Sequence, residues 1–300
     1  MKEFLTFAPE VEAALKDGGA VVALESTLIT HGLPYPANLE TALAMEDAIR
    51  EQGAVPATIA ILKGRISVGL SGDQIEYLAQ RKDVRKCSRR DLPIAVGLDE
   101  DGATTVAGTM IVAHMAGIKV FATGGIGGVH RGHPFDVSAD LIELGRTPVA
   151  VICSGAKSIL DLPLTLEVLE TQGVPIIGLG TDTLPAFYTR SSGLPIDACV
   201  ETPERAAQVI RAAETLGAQH GILITVPVPA ADEMPGEDAE RAIEQATAEA
   251  EVDGVHGKAV TPYVLGRVAE LTEGRSRGAN TSLLVNNART AAQIALALAR

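Results

Sequence analysis

The feature that most limits how this chain can fold is a recurring unit: a short β-branched run, a glycine-rich turn, then a helix rich in Ala, Leu and Glu. AVVAL (Ala20 to Leu24), KVFAT, TPVAVICS, VPIIGLG and GILITVPVP are apolar throughout, without alternation, and such strands are buried on both faces. NLETALAMEDAIREQG, LPLTLEVLETQG and PERAAQVIRAAETLG repeat apolar positions at three and four, the helical period, and Gly53 stops the first of them. ATIAILKGRISVGL reads as two strands around a Lys63-Gly64 turn, SGDQIEYLAQ as a short helix capped by Ser71, and TTVAGTMIVAHMAG as a helix leading into KVFAT. From Glu237 the chain reads as helical in DAERAIEQATAEAEVDG, TPYVLGRVAELTEG and the terminal TAAQIALALAR. Strands alternating with helices and covered on both sides predict an α/β fold, a three-layer α/β/α sandwich around a large, mostly parallel or mixed sheet. The best boundary candidate is Pro227 to Glu237, but a stretch of about ten residues suits an ordered surface loop better than a hinge. A single domain over residues 1–300 is expected.

Composition narrows the partners. Thirty-eight acidic against 25 basic residues leave a net charge of -13, which argues against nucleic acid or an anionic membrane as partner. Aromatics are 3% with no Trp, so stacking platforms for bases are not expected. A small anionic substrate stays open, because a pocket's local field can oppose the global sign. Cys87, Cys153 and Cys199 are odd in number and widely spaced, which implies reduced thiols. MKEFLTFAPEVEAALKDG carries charges where an export signal needs an apolar run, and the longest apolar stretches fall short of the roughly 20 residues that span a bilayer. A cytoplasmic location is expected.

Several segments carry chemistry. Glu25 ends a strand that should be buried, and strand C-terminal ends are where open α/β sheets place ligands. Partial burial there favours the protonated carboxyl that a general acid needs, although a carboxylate at a strand end can also serve as a local cap. Lys157, in CSGAKSILDLP, follows the apolar strand VAVIC. Desolvation and a neighbouring cation such as Lys86 favour the neutral amine that attacks a carbonyl, whereas a structural lysine snorkels to water. The basic cluster of KCSRRDLP suits either a phosphate or a solvated turn. DGATTVAGT and TGGIGGVHRGHPFDVSAD crowd hydroxyls and amides at loop–helix junctions, good anion cradles, yet match neither a Walker loop nor a dinucleotide fingerprint. His130, His133, Asp136 and Asp140 suit a divalent metal, or else a polar loop whose Asp136 or Ser138 caps the next helix. Arg190, Ser191, Ser192, Asn280 and Asn287 are candidate pocket residues. His31, His114, His220 and His256 are read as held by local partners, and Cys153 as core.

ALESTLITHGLPYP, KCSRRDLP, GATTVAGTM, TGGIGGVHRG, FDVSADL, CSGAKSILDLPLTLEVLETQGVP, PAFYTRSSG and GANTSLLVNNA run in collinear order from about residue 15 to the C-terminus. In this combination the chain resembles the pseudouridine-5′-phosphate glycosidase family, which includes indigoidine-synthase-A-like and C-glycosynthase relatives. The resemblance implies reversible cleavage of the carbon–carbon glycosidic bond of pseudouridine 5′-phosphate to uracil and ribose 5-phosphate. The alternative is a C-glycosynthase that joins ribose 5-phosphate to another aromatic partner. By the same resemblance Lys157 corresponds to the imine-forming nucleophile and Glu25 to the proton donor. Lys86, Val106, Ser138, Ala139, Asp140 and Asn280 match substrate-binding positions. Asp136 matches the holder of one Mn2+, largely through water, and a homotrimer is implied.

Overall fold

The computed structural model describes residues 4–300 apart from 256, with only the backbone described at 258, so the reading of His256 lies outside the described residues. The chain opens with β1 (Leu5–Phe7), α1 (Pro9–Lys16), β2 (Val21–Leu24), α2 (Ala37–Glu51), β3 (Val55–Leu62) and β4 (Arg65–Val68). It continues through α3 (Gly72–Gln80), β5 (Arg85–Cys87), α4 (Leu92–Gly97), β6 (Gly102–Thr104), α5 (Val106–Ala116) and β7 (Val120–Ala122). A small antiparallel sheet orders β8 (Val129–His130) between β9 (His133–Val137) and β11 (Leu160–Asp161), with α6 (Ala139–Leu144) and β10 (Ala150–Cys153) threaded through it in sequence. The last part holds α7 (Leu162–Thr171), β12 (Ile176–Leu179), β13 (Ala198–Val200), α8 (Pro203–Thr215), β14 (Ile222–Thr225), α9 (Gly236–Val252), α10 (Val260–Leu271) and α11 (Arg275–Ala299).

The main sheet runs β1-β4-β3-β2-β7-β10-β14-β12-β13, with β6 and then β5 attached beside β3. From β3 to β13 every neighbouring pair is parallel, while β4 and β6 run antiparallel to β3. This is the mixed, mostly parallel sheet the apolar strands predict. β2, β10 and β14 are buried along their whole length, the signature of a sheet sandwiched between helices. α11 packs on α2, α8 and the central strands, whereas α5 packs on the sheet together with α6, which in turn meets α7.

Local chemistry sets the element ends. Lys63 and Gly64 both have positive φ, 48° and 74°, as a tight hairpin twisted like its strands requires. Ser71 and Gln74 form a reciprocal capping box at the start of α3. Two expectations shift. TTVAGTMIVAHMAG is not helical from its first residue: Thr104 belongs to β6, its amide donating to Ser26 Oγ at 2.9 Å, and Thr105 caps α5 by accepting from the Gly108 amide. The terminal helix begins at Arg275, so RGANTSLLVNNA is helical as well as polar.

Glu46 of α2 is 7% exposed; it accepts from Thr58 Oγ1 at 2.5 Å, with Arg50 3.8 Å away. Burial outweighs both partners and pushes its pKa above the ordinary 4.5. In the window between the unfolded and the raised folded value the native state binds more protons than the unfolded chain. Stability from this group therefore falls as pH climbs through that window and stays low above it. Glu46→Gln keeps an acceptor for Thr58 and removes the titration. Urea unfolding from about pH 4 to about pH 8 is expected to show the variant gaining on the wild type as pH rises. A difference that does not vary with pH would overturn this reading.

Candidate active site

β2 is flanked by β3 on one side and β7 on the other, so crossovers diverge around it and leave a crevice at the carboxyl ends of the strands. A cavity of about 590 Å³ opens there, a size that accommodates a nucleotide-sized ligand. Glu25 follows β2, Thr123 follows β7, and Lys157 stands in the turn after β10; all three line it. Lys86, Val106, Asp136, Ser138, Ala139, Asp140 and Asn280 line the same cavity, so the structure brings together every residue that the resemblance singles out.

The acid end is built from hydroxyls. The half-buried Glu25 carboxylate accepts from Thr123 Oγ1 at 2.5 Å and from Thr27 Oγ1. Ser26, fully buried, donates to the Ile59 carbonyl at 2.7 Å and so fixes the backbone just past Glu25 to β3. Asn287 of α11 is fully buried and lines no part of the cavity, contrary to expectation. It donates from Nδ2 to the Thr123 carbonyl at 2.9 Å and stands 3.1 Å from Ser154 Oγ, tying the β7 end to the β10 end.

The amine end is a clipped turn. The Lys157 amide donates to Ile126 O, the Ile126 amide to Gly155 O, and the Leu160 amide to Lys157 O, at 3.0, 3.1 and 3.0 Å. Gly155 has φ +83°, and a Cβ there would lie 2.2 Å from the Pro185 carbonyl, so only glycine can enter this turn. Lys157 is half-buried and lines the cavity. The glycines of TGGIGG serve close packing: a Cβ on Gly127 would meet Ser138 Oγ at 2.2 Å.

At the polar end, Val106 opens α5, and a helix N-terminus carries partial positive charge. Ser138, not Asp136, caps α6, its Oγ accepting from the Asp140 amide at 3.2 Å. Asp140 is 6% exposed and commits both oxygens, accepting from the Ala107 amide at 3.0 Å and the Gly127 amide at 2.8 Å. In KCSRRDLP, Arg89 forms a bidentate pair with buried Glu143 at 2.8 and 2.6 Å, and Asp91 accepts from the Ser88 amide. Lys86, Arg89 and the exposed Arg90 all line the cavity, with the Arg89 guanidinium committed to Glu143.

The His130, His133, Asp136, Asp140 cluster does not converge. His130 Nδ1 stands 3.1 Å from Asp136 Oδ2, His133 is exposed, and Asp140 points to backbone amides. Among the described residues no group of three His, Cys, Asp or Glu could enclose a metal. Asp136, with a side chain 53% exposed at the cavity, offers a hard oxygen donor open to water. That arrangement fits a largely hydrated divalent cation and not a dedicated cage.

Other sequence candidates fall elsewhere. Arg190 Nη1 donates to Val228 O and Ser192 Oγ to Leu184 O, both 2.7 Å, and neither lines the cavity; nor does Ser191, whose Oγ lies 2.8 Å from Thr183 Oγ1. From the same stretch it is Phe187, buried and held at φ +64°, that reaches the cavity wall. Cys153 is fully buried, which pushes its thiol up to about 12, and such a thiol is no nucleophile. His220 Nδ1 lies 2.9 Å from Gly221 O, while His114 is simply exposed. Sequence reasoning missed Thr27, Thr123 and Phe187; a hydroxyl two residues past a candidate acid was the available signal for Thr27.

An acid and an amine presented at the carboxyl edge of a doubly covered sheet, on a cavity of this size, define an α/β-sandwich enzyme. Residues 10–297 match the family described as Indigoidine synthase A like protein. The pseudouridine-5′-phosphate glycosidase of Hahella chejuensis is 56% identical over 298 residues, covering 98% of both chains. That of Alkaliphilus metalliredigens is 52% identical over 302 residues, covering 100% of this chain and 98% of its own. A prealnumycin C-glycosynthase crystallised with ribulose 5-phosphate superposes with a TM-score of 0.91 at 40% identity, covering 99% and 97% of the two chains. An indigoidine synthase A-like protein from Thermotoga maritima gives the same TM-score at 35% identity. The chain therefore belongs to the indigoidine synthase A-like family, the group that holds the pseudouridine-5′-phosphate glycosidases. Among the described residues no helix is long and apolar enough to cross a membrane.

Gly127→Ala would drive a Cβ into Ser138 Oγ and to 2.8 Å from Asp140 Oδ2. The variant is expected to lose about 1–3 kcal/mol in denaturant unfolding, the cost of overpacking. Wild-type stability would show that the Gly127–Ser138 approach is soft.

Proposed function

We propose that this enzyme cleaves the carbon–carbon glycosidic bond of pseudouridine 5′-phosphate, giving uracil and ribose 5-phosphate. The observation that carries the reading is that Glu25 and Lys157, from different strand ends, open on one cavity. The curated relatives' names support the substrate, and the pentose phosphate held by the prealnumycin C-glycosynthase supports the sugar half.

The bond offers no heteroatom leaving group, so hydrolysis by a carboxylate pair does not apply. Glu25, oriented by Thr27 and Thr123, gives its proton to the ring oxygen, which leaves C1′ as a hydroxyl. Lys157 Nζ bonds to C1′. The alkylated nitrogen passes a proton back to Glu25, and the lone pair so restored forms the C=N bond as the C1′–C5 pair passes to uracil C5, which takes that proton from Glu25. Water hydrolyses the imine, releasing ribose 5-phosphate and regenerating the amine. Lys86, Ser138 and the start of α5 at Val106 hold the phosphate and the hydroxyls, turning remote binding into orientation at C1′. Asn280 adds a polar contact near the reacting carbon. Asp136 would hold a mostly hydrated Mn2+, whose charge helps a dianion settle in an acidic protein. A cytoplasmic homotrimer completes the proposal, with mass photometry as its test.

Uracil release from pseudouridine 5′-phosphate is the direct assay. Lys157→Ala is expected to abolish it and to abolish borohydride trapping of a ribose 5-phosphate adduct. An adduct on another residue, or none in the wild type, would remove the mechanism. Thr123→Val keeps the shape and removes a hydrogen bond that orients the Glu25 carboxyl, worth about 0.5–1.5 kcal/mol, so turnover is expected to fall roughly two- to tenfold. Dialysis against EDTA is expected to lower turnover and added Mn2+ to restore it, with Asp136→Ala raising the Mn2+ required. The second reading, a C-glycosynthase, is favoured by the 40% identical C-glycosynthase structure. Faster coupling of ribose 5-phosphate to another aromatic acceptor than to uracil would establish it.

A further inference from the structure

We propose that Arg131 is a positioning residue for the Lys157 amine, acting through the backbone of the turn that carries it. The inference rests on the reading of Lys157 as the attacking group. Arg131 sits at the turn between β8 and β9 and is not among the residues lining the cavity. Its guanidinium is spent on that turn: Nη2 donates to the Ser158 carbonyl at 2.9 Å and Nε to the Leu160 carbonyl at 3.2 Å. Nη1 and Nη2 also pair with Glu240 of α9, the latter at 3.2 Å. The Lys157 turn is thus gripped from two sides, its amide by Ile126 O and its following carbonyls by one planar fork.

The ion pair in this arrangement adds little to fold stability. The Arg131 and Glu240 side chains are 30% and 49% exposed, and pairs that exposed are worth little. Leu160 and Asp161 are already paired with β8 through the antiparallel ladder. What the fork adds is fixed geometry, because a rigid guanidinium presents several donors at set angles to carbonyls on either side of Ile159. An amine that must meet a carbon at about 3–3.5 Å loses roughly a hundredfold in rate for a displacement of about 1 Å. A lysine at 131 could keep the charge and satisfy one carbonyl, but not hold both carbonyls and Glu240 in one plane.

The test compares the wild type with Arg131→Met, Arg131→Lys and Glu240→Gln. Arg241→Met serves as a control, removing the exposed Arg241–Asp238 pair on the same helix. Three quantities are read: the rate of borohydride-trapped Lys157 adduct at saturating ribose 5-phosphate, the KM for the sugar, and Tm. The trapping rate is expected to fall about ten- to a hundredfold in Arg131→Met, less in Arg131→Lys, and by no more than about threefold in Glu240→Gln. KM stays within about twofold and Tm within about 3 °C, with the control unchanged in all three. Wild-type trapping rates in a folded Arg131→Met, or a loss confined to KM or to Tm, would overturn the assignment. Absence of any adduct in the wild type would overturn the reading of Lys157 and this inference with it.

Discussion

The Asp140 carboxylate is the point at which separate parts of the site are fixed to one another. One oxygen accepts from the second amide of α5 and the other from Gly127, while the Asp140 amide itself donates to the Ser138 hydroxyl. A buried carboxylate is tolerated only when its oxygens are satisfied, and here backbone amides do so without a countercharge. Removing it would orphan two amides at the mouth of the cavity. The start of α5 and the glycine loop that clips the Lys157 turn share this anchor, so two walls of the cavity are registered against each other through a residue whose own oxygens are already occupied.

Parallel topology explains why acid and amine stand apart in sequence and together in space. A buried parallel strand has no free face for chemistry, so functional side chains appear where strands end. β2, β7 and β10 are neighbours in the sheet, and their carboxyl ends supply Glu25, Thr123 and the turn bearing Lys157. Ser154 and Asn287 then brace two of these ends from behind.

The layered fold and the strand-end acid and amine were legible because they follow from period and position: uniformly apolar strands, helices at three and four, and titratable residues placed just past strand ends. What was not legible depends on contacts across the chain. KCSRRDLP reads as either an anion site or a solvated turn, and charge alone does not show that Arg89 answers to Glu143, 54 residues away. The histidine and carboxylate cluster reads as either a metal site or a polar capping loop; β8 and β9 pair antiparallel, and within the cluster only His130 and Asp136 are brought together. Asn287 reads as a pocket residue by polarity, whereas helical phase turns it into the core, and Phe187 reaches the cavity through a left-handed backbone conformation that its sequence neighbours do not advertise.

α11 has a further bearing on how the enzyme comes into being. It supplies Asn280 to the cavity and Asn287 to the brace behind it, and it packs on α2, α8 and the central strands. Every other element of the site precedes it in the order of translation. A nascent chain that has already assembled its sheet therefore still lacks one wall and the tie between two strand ends. The cavity is walled and its strand ends are tied only once α11 has docked, and not gradually as strands accumulate.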